Sequence, residues 1–95
     1  MVLSYKLAKK LRQVLISKKI YWENSDICDI SCLPLSHLID ICLKNTPQED
    51  FHLEHFEYGW QASNCYIEEN KEYDGWEKGK TPEDAVARLI IKIFK

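Results

Sequence analysis

Lys80-Thr81-Pro82-Glu83-Asp84-Ala85-Val86-Ala87-Arg88-Leu89-Ile90-Ile91-Lys92-Ile93-Phe94-Lys95 is the stretch on which the fold turns. Its residues satisfy nearly every local rule for a helix. Thr81 is placed to cap the first turn, its hydroxyl accepting from a free backbone N–H. Pro82 follows at the first helical position, where its missing N–H costs nothing. Asp84 completes a short capping box. Glu83 and Asp84 stand at the positive end of the helix dipole, Lys92 and Lys95 at the negative end. Ala85, Val86, Leu89, Ile90, Ile93 and Phe94 recur at helical spacing and make one apolar stripe. The segment predicts a helix that docks on a core, with Gly79 upstream letting the chain turn into it.

Working outward, the chain predicts more helices and paired strands. A first helix runs from after Ser4, a good N-cap, to about Ser17, with Leu7, Leu11, Val14 and Leu15 inward. Lys18–Glu23 holds Ile20, Tyr21 and Trp22, a strand-favouring cluster. Ile27–Cys32 alternates an apolar face, Cys28, Ile30 and Cys32, with a polar one, and predicts a half-buried strand paired with the first. A second helix covers Pro34–Leu43, with Leu35, Leu38, Ile39 and Cys42 on one face. Phe51–Tyr58 and Trp60–Ile67 predict two strands joined at Gly59. Residues 68–80 predict a charged loop. The expected architecture is one compact α+β domain over residues 1–95, in the order α-ββ-α-ββ-α, an antiparallel sheet packed with helices.

Composition narrows the class. The 95 residues carry a net charge of −2 with 45% hydrophobic and 29% charged residues, values of an ordinary soluble domain. No stretch is long and apolar enough to span a membrane. The first apolar residues are broken by Lys6, Lys9, Lys10 and Arg12, which argues against an export signal. The four cysteines, Cys28, Cys32, Cys42 and Cys65, are expected as reduced thiols in a cytoplasm. The charge is unevenly spread. Residues 1–19 hold six basic groups and no acid, while the rest hold seven basic and fifteen acidic groups, a net of −8. A basic face formed by Lys6, Lys9, Lys10 and Arg12 on an acidic body suits a solvated surface, a second copy or nucleic acid.

The chemistry-bearing patterns are few. Cys28-x3-Cys32-x4-His37-x4-Cys42 is one residue off a zinc-knuckle spacing. It contains no glycine, and His37 and Cys42, five apart, do not face one point on a helix. No metal or cofactor is therefore assigned. No hydrolase signature surrounds any cysteine, and His52 and His55, three apart in a strand, point to opposite faces. Gly79-Lys80-Thr81 echoes the end of a phosphate-binding loop, but the required upstream glycine position holds Asp74. No enzymatic activity is expected. Tyr73, Trp76, Lys78 and Lys80, aromatic and basic residues in the charged segment, are the expected contact residues for a ligand or partner.

Four motifs together resemble a family of small phage and prophage proteins: Tyr5-Lys6-Leu7-Ala8-Lys9-Lys10-Leu11, Leu35-Ser36-His37-Leu38-Ile39-Asp40-Ile41-Cys42, Trp60-Gln61-Ala62, and Gly79-Lys80-Thr81-Pro82-Glu83-Asp84-Ala85-Val86-Ala87-Arg88-Leu89. The likeness covers most of the chain in order. It departs at Pro34, one position later than the pattern, and at His37, where an acid is usual. The last helix is also similar to that of antitoxins of the HicB type, over one strand and one helix. The family resemblance implies a phage accessory protein of the bacterial cytoplasm without an assigned reaction. The expected role is non-enzymatic binding of a host or phage protein, with a homo-oligomer as a possible form. Sequestration of a small nucleotide-type signal of antiviral defence is the alternative. Nucleic-acid binding through the basic helix is the least favoured.

Overall fold

The structure, a computed structural model, describes residues 3–21, 26–44, 51–68 and 71–94; the side chains of residues 64–68 and 71–76 lie outside the description. Among the described residues, four helices and three strands follow in order: α1 (Tyr5–Ser17), α2 (Ile27–Ser31), α3 (Leu35–Lys44), β1 (Phe51–Phe56), β2 (Gly59–Glu68), β3 (Lys71–Gly79) and α4 (Pro82–Ile93). The class is α+β with a three-stranded antiparallel sheet in the order β1-β2-β3. The expected α-ββ-α-ββ-α order is replaced by three helices, three strands and a closing helix.

The expected α1 is present. Ser4 caps it, accepting from the Leu7 N–H at 3.2 Å. Its C-terminus explains why residues 18–21 form no strand. The Lys19 N–H donates to the Ile16 carbonyl and the Ile20 N–H to the Leu15 carbonyl, the paired bonds of a Schellman ending. Lys19 takes the left-handed φ of 59° that this ending requires. The backbone N–H groups of 18–21 are thus spent on closing a helix, and residues 22–23 of the expected strand and 24–25 of the expected turn lie outside the described residues.

The expected strand over Ile27–Cys32 is a short helix. Asp26 caps α2, its carboxylate accepting from the Cys28 N–H at 3.0 Å. Burial follows the helical period: Ile30 and Ser31 are buried and Ile27 half-buried, while Cys28 and Cys32 are exposed. The Leu3 N–H donates to the Ser31 carbonyl at 3.0 Å and ties the start of the chain to this helix.

The charged loop expected over 68–80 is mostly β3. Every residue from Lys71 to Gly79 pairs with β2, from Glu68↔Lys71 to Trp60↔Gly79. At the other end of β2, Phe56 pairs with Gly59 across the two-residue turn Glu57-Tyr58. Gly59 has a φ of 137°, open to glycine alone among ordinary residues.

α4 closes the core as expected. Thr81 accepts from the Asp84 N–H at 3.1 Å. Ala85, Val86, Ala87, Leu89 and Ile90 are fully buried. They pack with Leu7, Leu11 and Leu15 of α1, Ile30 of α2, Leu38 and Cys42 of α3, and Ala62 of β2. Trp60, Leu53 and Phe51 flank this cluster, half-buried. Burying side chains of this size stabilises by about 1.5–3 kcal/mol each. Gly79 serves a different purpose from the turn expected of it. A Cβ there would stand 2.5 Å from the Ala85 nitrogen, so the bare backbone lets α4 lie against the end of β3.

Candidate partner-binding surface

The antiparallel register brings two distant features together. The β1–β2 turn presents Tyr58, and the end of β3 presents Lys78 opposite Gln61. Tyr58 is 62% exposed, yet its ring is held. It stacks on Phe56, centroids 5.5 Å apart and planes 4° from parallel. The Lys78 ammonium lies over it, 5.2 Å from the ring centroid. An exposed cation–π pair of this kind contributes about 0.5–1 kcal/mol. The Tyr58 hydroxyl donates to Gln61 Oε1 at 3.5 Å.

Asp84 organises the start of α4. One carboxylate oxygen accepts from the Lys80 backbone N–H at 3.3 Å, the other from Arg88 Nε at 3.3 Å. Between these groups and Ser4 at the head of α1 lies an open groove of about 590 Å³, lined by Tyr58, Lys78, Lys80, Asp84 and Arg88. Tyr5, adjoining Ser4, is 58% exposed; it and Tyr58 are the exposed large apolar side chains among the described residues. A second groove, of about 410 Å³, shares Arg88 as a wall with the first. Its other walls are Leu7 and Lys10 of α1, Glu77 of β3, and Ile91 and Lys92 of α4. Lys92 Nζ lies 3.4 Å from Glu77 Oε1.

Of the residues expected to make contacts, Lys78 and Lys80 share the first groove. Tyr73 and Trp76 belong to β3 and not to a loop, and their side chains lie outside the described residues. The basic face of α1 divides. Lys10 lines the second groove, Lys6 and Lys9 are exposed, and Arg12 is half-buried. Tyr58 and Arg88 were not expected. Tyr58 had one signal, its place beside Gly59 at a hairpin tip. Arg88 had another, its place four residues after Asp84 on one helix face.

The thiols and histidines are scattered. Cys28 and Cys32 are exposed; Cys42 is buried, which pushes its thiol up to about 12. His37 Nε2 is hydrogen-bonded to the Tyr21 hydroxyl at 2.6 Å, linking the segment after α1 to α3. Burial raises the Tyr21 hydroxyl above its ordinary range. Among the described residues no three His, Cys, Asp or Glu side chains converge as a metal site would require. Among them, too, no helix is long and apolar enough to cross a membrane.

Comparison with protein-family models, with curated proteins and with solved structures finds no match. The surface itself therefore carries the functional argument. It offers two exposed tyrosines, a set of cations and an open shape. Tyrosine and arginine are enriched among residues that dominate protein–protein binding.

Proposed function

We propose that this chain is a non-enzymatic accessory protein of the phage or prophage type, and that it binds a host or phage protein through the Tyr58–Arg88 groove. One observation carries the reading. Tyr58 is displayed to solvent while Phe56 and Lys78 hold its ring in place. A large side chain fixed before binding loses little freedom on contact, which is what an interface anchor needs. The open groove favours a macromolecular surface over a ligand that must be enclosed. The four-motif resemblance supports the phage assignment and says nothing about the partner.

Affinity capture from lysates of phage-infected cells tests this. A specific partner held by the wild-type chain and lost by Tyr58→Ala/Lys78→Ala is the expected result. Recovery of the bait alone would sink the proposal.

A second reading has one observation in its favour. The first groove, at about 590 Å³, lies within the range of small-molecule sites. It combines an aromatic ring with Lys78, Lys80 and Arg88, the elements that a nucleotide-type defence signal requires. Against it, Phe56 and Lys78 already engage the Tyr58 ring that a base would stack upon. Thermal shift with cyclic oligonucleotides and NAD-derived signals separates the readings. Stabilisation of several degrees would favour sequestration.

A further inference from the structure

We infer that the two grooves form one track for an extended acidic segment of a partner protein. This inference rests on the protein-binding reading above.

Continuity comes first. Arg88 lines both grooves. The α1 wall is the N-cap Ser4 with Leu7 and Lys10 of the first two turns. The α4 wall runs from Thr81 through Asp84 and Arg88 to Ile91 and Lys92. Eleven residues of helix rise about 16 Å. An extended peptide advances about 3.3 Å per residue, so the track accommodates about five residues.

Charge comes second. The lining holds Lys10, Lys78, Lys80, Arg88 and Lys92 against Glu77 and Asp84, a net of +3. The whole chain is −2, so everything outside the track sums to −5. The track is a positive seam on a chain of net negative charge, beside the basic face of α1. Both of its carboxylates are engaged, Asp84 with Arg88 and Glu77 with Lys92. An acidic strand laid along the seam meets these cations, with the exposed Lys6 and Lys9 of α1 close by in sequence.

Apolar surface comes third. Leu7 and Ile91 line the second groove together with Lys10 and Arg88. They provide a seat for one apolar side chain of the occupant. A peptide presents carboxylates and an apolar residue in alternation along an extended chain. A nucleic-acid strand is a poorer fit. Its unbroken line of phosphates would run past Glu77 and Asp84, and the Tyr58 ring is already engaged.

Fluorescence anisotropy on the full chain tests the inference. The probes are fluorescein-labelled hexapeptides of Asp and Glu around a central Leu, a Lys/Leu counterpart, and a labelled oligothymidine. Saturable binding of the acidic peptide, absent for the basic one, is expected, and it weakens as salt rises. Lys10→Glu/Lys80→Glu weakens it by about tenfold or more, while Lys44→Glu on α3 leaves it unchanged. The salt series on the wild type requires no variant, so a folding defect cannot decide the result. Failure of the acidic peptide to bind, equal binding of both peptides, or preferential binding of oligothymidine would overturn the inference. A captured partner that tolerates Lys10→Glu/Lys80→Glu but not Tyr58→Ala/Lys78→Ala overturns the track and leaves the protein-binding reading intact.

Discussion

Gly79 lies so close to Ala85 that the two positions act as one packing site. A Cβ on Gly79 would stand 2.5 Å from the Ala85 nitrogen and 2.9 Å from the Asp84 carbonyl carbon. These are backbone atoms at the head of the core helix, and they have nowhere to retreat. Gly79→Ala therefore separates β3 from α4 and costs about 2–3 kcal/mol, in the range of core overpacking. At about 4–8 °C per kcal/mol for a domain of this size, a thermal melt shows a drop of roughly 10 °C or more. An unchanged midpoint would mean that α4 does not sit against the strand as described.

The helix cap two residues further on can be tested without touching the core. Thr81→Ala removes the acceptor for the Asp84 N–H and destabilises by about 1 kcal/mol. Thr81→Ser keeps the hydroxyl and recovers most of that loss. Urea denaturation of the three proteins gives the comparison, with equal midpoints for Ala and Ser as the contrary result.

α2 makes a prediction that a strand would not. Ile30 is fully buried while Cys28, two residues away, is exposed. Ile30→Ala costs about 2–4 kcal/mol. Cys28→Ala stays within about 0.5 kcal/mol. A half-buried strand would place both on one face and penalise both.

Much of the fold was legible because caps and a 3.6-residue period coincide. α1 and α4 have that agreement, with Ser4 and Thr81 marking the starts, and α3 was legible from its period alone. α2 was not legible, because five residues fit either period. Cys28, Ile30 and Cys32 alternate as well as Ile27, Ile30 and Ser31 recur, and Asp26 reads as a turn residue until its carboxylate is seen capping Cys28. β3 was hidden by its charges, which suit an edge strand as well as a loop. Lys78 and Lys80 were legible as contact residues from composition. Tyr58 and Arg88 needed strand register and the approach of α1 to α4, which no local pattern encodes.

The left-handed Lys19 offers a stabilising change. Its φ of 59° strains a side-chain-bearing residue at the position where most helices of this ending use glycine. Lys19→Gly raises stability by about 0.5–1 kcal/mol, seen as a higher urea midpoint with an unchanged slope. A loss of stability would show that Lys19 makes contacts that outweigh the strain.

Cys42 gives the chain an alkaline limit. Burial raises its thiol from 9.0 to about 12. The folded state keeps this proton where the unfolded chain begins to lose it. The contribution to stability is therefore intact below about pH 9 and falls as pH rises from about 9 toward 12. In a Cys65→Ser background, a thiol reagent labels Cys28 and Cys32 in the folded protein and Cys42 only on unfolding. Equally rapid labelling of all three would contradict the burial of Cys42.

α4 presents two faces that cannot be adjusted separately. Ala85, Val86, Leu89 and Ile90 are locked in the interior, and Asp84, Arg88 and Lys92 extend from the same turns into the grooves. Backbone ordering along this wall is complete before any partner arrives. Recognition there costs mainly the freezing of long basic side chains, about 0.5–1.5 kcal/mol each. Such a surface associates quickly under electrostatic steering, and it is retuned by exchanging one exposed charge without disturbing the interior.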